Sequence, residues 1–249
     1  MKARKIQGAI ALVTGANRGI GRALTEALLA RGAKKVYATA RDPQALRGLG
    51  EERVVRLSLD VTDADQLRAV AEAVPDVELV INNAGVALGK GLADSTVLDH
   101  ARQEMEVNYF GPLQLVHRLA PTLAKNGGGA VVNIASVAGL TSFAFFPTYS
   151  ASKAAFHSLT QATRVLLDGQ GTSVFGVYPG PVDTDMAREL AFAKAAPRDV
   201  ADTILDGIEA GRADIFPDAY AVEFARQYES SPKTSELQVA ALLSGSAAA

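Results

Sequence analysis

Short apolar runs alternate along the chain with longer segments in which apolar residues recur at helical spacing. The first run covers residues 9–14, and a helical pattern follows it as far as Arg31. The later runs are Lys35 to Ala40, Val54 to Ser58, Leu79 to Asn82, Ala130 to Ile134, Thr172 to Tyr178 and, more weakly, Asp214 to Phe216. Runs that are apolar throughout are typical of parallel strands buried on both faces. The pattern therefore predicts a predominantly seven-stranded parallel sheet.

The alternation of strands and helices predicts that helices cover both faces of this sheet. Right-handed crossovers then produce a doubly wound, Rossmann-like α/β fold, in which ligands bind beyond the carboxyl ends of the strands. Glycine, proline or polar residues follow five of the strands at that edge: Gly15, Asp60, Asn82, Ser136 and Pro179. We therefore expect a ligand site along the carboxyl edge of the sheet.

A glycine-rich turn joins the first strand to the first helix. Glycines there let the backbone approach a pyrophosphate, and the free amide groups at the start of a helix bind the anion. The residues predicted to contact a dinucleotide in this turn are Gly15, Asn17, Arg18, Gly19, Ile20 and Gly21. Their spacing, Gly-x-x-x-Gly-x-Gly, departs from the general Gly-x-Gly-x-x-Gly fingerprint. The turn alone is therefore also compatible with an ordinary glycine cluster.

Tyr149 and Lys153 combine a proton donor with a cation four residues further along the chain. On a helix this spacing places the two side chains on one face, roughly 6 Å apart. A nearby cation favours the phenolate and is expected to lower the pKa of a tyrosine from its usual ~10 towards neutrality. Ser136 adds a hydroxyl thirteen residues before Tyr149. Taken alone, Tyr-x-x-x-Lys is a short pattern that more often reflects a packed tyrosine and a solvated lysine.

The length of 249 residues fits one domain, residues 1–249, although two small domains would also be possible. We expect a lid segment at about 180–197 and a flexible tail at about 243–249. The net charge is −2, with acidic and basic residues interspersed, which argues against nucleic acid and anionic membranes as partners. No apolar run reaches the ~18 residues of a membrane span, and the basic N-terminus lacks a signal-peptide pattern. We therefore expect a soluble, cytoplasmic protein.

The chain contains no cysteine, and its three histidines are scattered without ligand spacing. A disulfide framework and a thiolate metal site are therefore excluded, and no metal site is expected. We interpret His100, His117 and His157 as structural or surface residues.

Taken together, several motifs resemble the short-chain dehydrogenase/reductase family, in its single-domain subfamily. They are Thr14-Gly15-x-x-x-Gly19-x-Gly21, Asn82-Asn83-Ala84-Gly85, Asn108, Ser136, Tyr149-x-x-x-Lys153 and Pro179-Gly180. The resemblance extends from about residue 8 to about residue 217. It implies an oxidoreductase that transfers a hydride between a nicotinamide cofactor and a carbonyl or alcohol.

The resemblance also implies roles for four catalytic residues. Tyr149 exchanges a proton with the carbonyl oxygen, and Ser136 hydrogen-bonds that oxygen. Lys153 binds the nicotinamide ribose and favours the tyrosinate, and Asn108 organises a water relay. For Asn108, a local hydrogen bond within its helix is the alternative.

By the same resemblance, three further groups of residues contact the cofactor. Asp60 and Val61 correspond to the pair at the adenine. The turn at the nucleotide ribose comprises Asn83, Ala84 and Gly85, and the residues that close over the nicotinamide are Pro179, Gly180, Val182 and Thr184. The sequence Asn-Ala-Gly is also a simple turn pattern, and the two interpretations are compatible.

Arg41 indicates which cofactor is used. It stands twenty residues after Gly21, where an NAD-binding fold usually has an acidic residue. The planar guanidinium of arginine suits a 2'-phosphate, and Arg18 could supply a second positive charge. The cofactor prediction is therefore NADP(H), although Asp42 could approach a ribose hydroxyl.

Two segments are expected to form the substrate pocket, residues 138–147 and Met186 to Ala196. The first is unusually apolar for a connection, and the second is a short amphipathic segment suited to a lid. We therefore expect an apolar carbonyl substrate. Alternatively, the two segments form a subunit interface or simple core contacts. Small residues on the Tyr149 helix suggest close pairing of subunits, so we expect a homo-oligomer, either a dimer or a tetramer.

The first functional hypothesis is an NADP(H)-dependent carbonyl reductase or alcohol dehydrogenase. The second is a non-catalytic NADP(H) sensor or scaffold on the same fold, because a fold alone does not confer activity. The joint presence of Ser136, Tyr149 and Lys153 argues against a sensor, which needs no proton donor. Isomerase or dehydratase chemistry is a third possibility.

Overall fold

The computed structural model describes residues 1–50, 52–89, 91–191 and 193–243. Within these residues seven strands form one sheet, in which every pairing is parallel. The strands are β1 Ile10–Val13, β2 Lys35–Ala40, β3 Val54–Ser58, β4 Leu79–Asn82, β5 Ala130–Ile134, β6 Ser173–Val177 and β7 Asp214–Ile215. Their order across the sheet is β3-β2-β1-β4-β5-β6-β7. The predicted doubly wound fold is confirmed, with small differences at the ends of the first, sixth and seventh runs.

Except between β2 and β3, which a 3₁₀ turn at Pro43–Leu46 connects, α-helices join successive strands and cover both faces of the sheet. They are α1 Gly19–Ala30, α2 Ala64–Ala73, α3 Val97–Met105, α4 Gly111–Lys125, α5 Pro147–Leu166, α6 Pro197–Glu209, α7 Ala219–Ser230 and α8 Pro232–Leu243. A short π-helical segment, Glu106–Phe110, joins α3 to α4 without a break. Such widened turns frequently occur at functional sites, and this one contains Asn108.

The hydrophobic clusters on the two faces of the sheet follow from the side-chain alternation of the strands. Ala11 and Val13 of β1 face a cluster that includes Leu24 of α1 and Ile204 of α6. Leu12 faces the opposite cluster, which is built from α2 and α4. Because both faces of β1 are buried, all its residues are apolar, and for this reason the apolar run in the sequence predicted the strand.

The direction of strand order reverses at β1, whose neighbours are β2 and β4. The connections on either side of β1 therefore lead away from each other and leave a crevice at the carboxyl edge. The last helices lie near the same edge, because Phe224 of α7 and Val239 of α8 pack with Phe143 and Tyr178. The expected flexible tail lies outside the described residues from residue 244 onwards. Among the helices of the described chain, none is both long and apolar enough to cross a membrane.

Candidate active site

A cavity of about 830 Å³ opens at the carboxyl edge of the sheet. It brings together eighteen of the twenty predicted site residues: Gly15, Asn17, Arg18, Gly19, Ile20, Arg41, Asp60, Val61, Asn83, Ala84, Gly85, Ser136, Tyr149, Lys153, Pro179, Gly180, Val182 and Thr184. Gly21 and Asn108 do not line it, since both are buried behind its wall. No cluster of three or more His, Asp or Glu side chains that could hold a metal ion occurs in the described residues.

The glycine turn leaves the first amide groups of α1 available for a ligand. The helix begins at Gly19, no side chain caps its N-terminus, and its first turn contains no acidic residue. Gly15 and Gly19 have φ angles of 64° and 53°, which side-chain-bearing residues rarely adopt. A Cβ atom on Gly21 would lie 2.3 Å from both the Asn83 side-chain nitrogen and the Gly15 carbonyl oxygen. Gly21 therefore serves close packing behind the turn.

Asn83 supports the glycine turn through its side chain. Its Nδ2 donates to the carbonyl oxygens of Thr14 and Gly15, at 2.9 and 3.1 Å. The Thr14 hydroxyl in turn accepts hydrogen bonds from the backbone N–H groups of Asn83 and Ala84, at 2.9 and 3.0 Å. These hydrogen bonds connect the ends of β1 and β4, and both Asn83 and Ala84 line the cavity.

Arg41 lies exposed at the end of β2 and lines the cavity. Its neighbour Asp42 accepts a hydrogen bond from the Gln44 backbone N–H at 2.9 Å and caps a turn of 3₁₀ helix, Pro43–Leu46. One carboxylate oxygen of Asp42 is therefore engaged locally. Asp60 is similarly engaged, since its Oδ1 accepts from the N–H and the hydroxyl of Thr62, at 3.0 and 2.7 Å.

Arg18 forms an ion pair across the cavity mouth that the sequence did not predict. Its Nη1 donates to Asp185 at 2.8 Å, and Asp185 also pairs with Arg188. Asp185 belongs to the segment expected to act as a lid. Both side chains are largely exposed, so the energetic contribution of this pair is small. The second positive charge predicted for a 2'-phosphate is thus paired with the lid segment.

Ser136 and Tyr149 meet at the centre of the cavity. Ser136 begins the turn after β5, where its hydroxyl accepts the Ala138 N–H at 3.1 Å and contacts the Pro179 carbonyl at 3.5 Å. Desolvation raises the pKa of Tyr149 to about 12; the Ser136 side chain partly opposes this change, and the charge of Glu104 adds to it. The direction of the change contradicts the expectation of a lowered pKa.

Lys153 is buried one helical turn after Tyr149, only 4% exposed. Its ammonium donates to the Ile134 carbonyl at 2.9 Å and lies 5.8 Å from the centre of the Tyr149 ring. Burial lowers the pKa of Lys153 to about 8. The expected shared face of the helix is present, yet desolvation dominates the ionisation of both groups because neither is well solvated.

Asn108 joins α5 to the loop after β4. Its Nδ2 donates to the Ser152 hydroxyl at 2.9 Å and to the Val86 carbonyl at 2.8 Å, and its Oδ1 accepts the Val86 N–H at 2.9 Å. These partners are distant in sequence, so the alternative of a local bond within the helix is wrong. Oδ1 and the Lys153 ammonium also converge on Gly85, where a Cβ atom would lie 3.2 and 3.5 Å from them.

Sequence reasoning missed Tyr220, which lines the cavity, and Asp218, which supports Gly180 of the cavity wall. Asp218 accepts the Gly180 N–H at 2.8 Å and the Ala221 N–H at 2.8 Å, so one carboxylate holds the Gly180 turn and caps α7. A Cβ atom on Gly180 would lie 2.7 Å from the Tyr220 ring. The only available signal was an N-cap residue before a helical pattern, which does not indicate a site.

Apolar side chains line the cavity beyond Tyr149. They are Phe143, Phe145, Phe146, Met186, Ala187 and Leu190. The rings of Phe143, Phe145 and Phe146 contact one another edge to face, with centroids 5.0 to 5.6 Å apart along the series. Both segments predicted to form a substrate pocket thus reach the cavity. Phe192 of the second segment lies outside the described residues.

Comparisons with known proteins relate most of the chain to one family. The family model for short chain dehydrogenases matches residues 9–194. The galactitol 2-dehydrogenase (L-tagatose-forming) of Cereibacter sphaeroides is 36% identical over 197 residues, covering 75% of this chain and 76% of that protein. An uncharacterized oxidoreductase of Staphylococcus saprophyticus is 30% identical and covers 82% of this chain and 93% of its own.

Solved structures match the fold over nearly the whole chain. A short chain dehydrogenase of Burkholderia cenocepacia J2315, in complex with NADP, has a TM-score of 0.90 and 37% identity, covering 95% of this chain and 99% of its own. A short chain dehydrogenase/reductase of Burkholderia phymatum, in complex with NAD, has a TM-score of 0.82 and 26% identity, covering 93% of this chain and 96% of its own. Structures of this type thus occur with either nicotinamide cofactor.

Proposed function

The chain belongs to the short chain dehydrogenase family, and from this membership we propose that it transfers a hydride between NADP(H) and a carbonyl or secondary alcohol. The observation that carries the proposal is the convergence of Ser136, Tyr149 and Lys153 on the cavity that also contains the glycine turn. A nucleotide sensor would need only the cofactor-binding turn, whereas an oxidoreductase also needs a proton donor close to the cofactor.

The residues of the cavity fit a dinucleotide. Its volume of about 830 Å³ lies in the upper part of the ~300–1,000 Å³ range of small-molecule sites. The uncapped amide groups at Gly19 and the following residues would hold the pyrophosphate. Asp60 and Val61 line the part of the cavity that we assign to the adenine, and the residues that line the part assigned to the nicotinamide are Pro179, Gly180, Val182 and Thr184.

Residues of this chain carry out the proton transfer. When bound, the nicotinamide supplies or accepts the hydride. Tyr149 donates a proton to the carbonyl oxygen during reduction, or accepts one during alcohol oxidation, and Ser136 holds that oxygen by a hydrogen bond. Lys153 binds the ribose and stabilises the phenolate once it forms. Asn108 fixes Val86 and Ser152 behind these groups.

Arg41 supports NADP(H) over NAD(H). It follows β2 at the adenosine end of the cavity, and the neighbouring carboxylate of Asp42 is engaged in capping a turn. The exposed guanidinium can make bidentate, charge-assisted bonds to a 2'-phosphate. The apolar residues beyond Tyr149 support an apolar substrate, with the segment at about 180–197 acting as its lid.

The first experiment measures NADPH oxidation and NADP+ reduction against a panel of ketones, aldehydes and secondary alcohols. Tyr149→Phe is expected to lower turnover by a factor of about 100 or more and to leave cofactor affinity nearly unchanged, because only the acid–base group is removed. Near-normal turnover in folded Tyr149→Phe would refute the mechanism. Cofactor binding without turnover of any panel member would favour the sensor hypothesis.

The second experiment titrates NADPH and NADH into the wild type and Arg41→Ala at fixed ionic strength. A hydrogen bond to a charged group contributes roughly 1.5–3 kcal/mol, which is a factor of about 10 to 150 in affinity. Arg41→Ala should weaken NADPH by about that factor and leave NADH almost unaffected. Arg47→Ala, also exposed but outside the cavity lining, is the matched control. Equal losses for both cofactors in Arg41→Ala would contradict the assignment.

A further inference from the structure

A buried carboxylate, Glu104, lies one helical turn before Asn108 and has no role in the mechanism above. Its side chain is fully buried, at 0% exposure. Its Oε1 accepts the backbone N–H groups of Leu88 and Gly89, at 2.6 and 3.1 Å. Its Oε2 is buried without a hydrogen-bond partner among the described residues. Burying a carboxylate in this way is costly, so its place in the fold needs a physical explanation.

Glu104 and Asn108 together hold the loop that follows β4. Asn108 exchanges two hydrogen bonds with Val86, and Glu104 accepts from Leu88 and Gly89, so anchors one helical turn apart secure both ends of residues 86–89. Val86 and Ala87, within this stretch, line the cavity next to Gly85. The position of this wall therefore depends on Glu104.

Glu104 also lies close to the start of α5. A Cβ atom placed on Gly89 would be 2.3 Å from the Thr148 hydroxyl and 3.9 Å from Glu104 Oε1, so both side chains pack against Gly89. Thr148 immediately precedes Tyr149, and its hydroxyl is likewise buried without a described partner. The negative charge of Glu104 contributes to raising the pKa of Tyr149.

We propose that Glu104 is a positioning residue: its buried carboxylate anchors residues 86–89 along the cavity, and it places a negative charge beside the start of the helix that carries Tyr149. The second effect rests on the proposed role of Tyr149 as the acid–base group. A neutral phenol is the form that donates a proton during carbonyl reduction. Glu104 thus opposes Lys153, which stabilises the phenolate in the proposed mechanism.

Other ionisable groups face the same end of the cavity from neighbouring elements. Lys153 belongs to α5, the helix that carries Tyr149. Glu106 follows α3, Asp185 follows β6, and Tyr220 belongs to α7. Glu106 and Asp185 are exposed, so water screens their charges. Glu104 is fully buried, and its field is screened far less.

Glu104→Gln tests the charge while retaining an oxygen that can accept from Leu88 and Gly89. The ionisation of Tyr149 is followed by near-ultraviolet absorbance, as the difference between each protein and the same protein carrying Tyr149→Phe. We expect the phenol to ionise about one pH unit lower in Glu104→Gln, the smaller end of the effect of a nearby charge. Ketone reduction should then decline at a correspondingly lower pH, and alcohol oxidation should begin at a correspondingly lower pH.

Glu104→Asp tests the anchor while retaining the charge. Its shorter side chain should leave the Tyr149 titration near that of the wild type but accelerate amide hydrogen exchange at Leu88 and Gly89 and raise KM. Glu104→Gln should leave that exchange slow. Circular dichroism establishes that each variant is folded, and the opposite behaviour of the two variants keeps the test decisive if one of them is destabilised.

Asp99→Asn is the matched control, because it removes one negative charge from the same helix. Asp99 is 83% exposed and pairs with Arg102, so solvent screens its charge. An unchanged Tyr149 ionisation in Glu104→Gln, or an equal shift in Asp99→Asn, would overturn the electrostatic role. Unchanged exchange at Leu88 and Gly89 in Glu104→Asp would overturn the anchoring role. Both readouts need no substrate, so they remain decisive if the proposed reaction fails in every assay.

Discussion

The burial of Lys153 should make the free energy of unfolding depend on pH, and the substitution Lys153→Met should remove this dependence. The ammonium is 4% exposed, its hydrogen bond is to the Ile134 carbonyl, and burial lowers its pKa from 10.5 to about 8. Between these two pKa values the native state binds fewer protons than the unfolded state. The free energy of unfolding therefore rises with pH across this interval. Below about pH 8 the cost of burying the charge is fully present, and above about pH 10.5 it vanishes.

The magnitude follows from the two pKa values. Each unit of difference corresponds to about 1.4 kcal/mol, so the whole interval represents about 3 kcal/mol. Between about pH 8 and pH 10 the linkage relation gives a gain of about 2 kcal/mol. Tyrosines with a raised pKa, such as Tyr149 and Tyr178, act in the opposite direction from about pH 10, where the phenols of the unfolded chain begin to ionise. Because both proteins contain these tyrosines, the difference between the wild type and a variant without the Lys153 ammonium isolates Lys153.

The assay is urea unfolding of the wild type and Lys153→Met at both pH values. Methionine retains an apolar stem of similar length but cannot titrate, so the wild type should gain about 2 kcal/mol over the variant between pH 8 and pH 10. Lys34→Met, which removes an exposed lysine, should follow the wild type. Identical pH dependence in the wild type and Lys153→Met would refute the argument. We also expect Lys153→Met to weaken both cofactor binding and turnover, because one ammonium serves both.

Three other substitutions test the packing around the cavity. Gly21→Ala should abolish cofactor binding or folding, measured by cofactor titration and thermal unfolding, because its Cβ would lie 2.3 Å from Asn83 Nδ2 and Gly15 O; the exposed Gly169, with no atom within 4 Å of a Cβ, is the control. Phe145→Ala or Met186→Ala should change the ranking of ketone substrates more than NADPH affinity, and the reverse would contradict the pocket assignment. Asp218→Ala should lower the free energy of unfolding by about 1–2 kcal/mol through loss of a helix cap, and unchanged stability in urea would refute that role.

Local features of the sequence were sufficient for the strands and the glycine turn. A strand covered on both faces needs a mostly apolar run, so the runs at β2, β4 and β5 were located without error in their bounds. The bounds of β3 were also predicted correctly, although it is an edge strand with exposed Val55 and Ser58. The carboxyl edge followed from topology, because parallel strands place their ends together. The same rule brought Gly15, Asp60, Ser136 and Pro179 to one cavity. These outcomes depend on periodicity and chain direction, which are properties of short segments.

Only the tertiary structure determined the electrostatics and the supporting contacts. The sequence placed Lys153 beside Tyr149, but the sign of each pKa change depends on how many distant residues exclude water from both. The pairing of Arg18 with Asp185, and of Asp218 with Gly180, joins segments far apart in the chain. Glu104 resembled any charged residue of an amphipathic helix until the loop after β4 and the start of α5 were packed around it. No local pattern encodes such burial, because it is produced by residues that meet only in the folded chain.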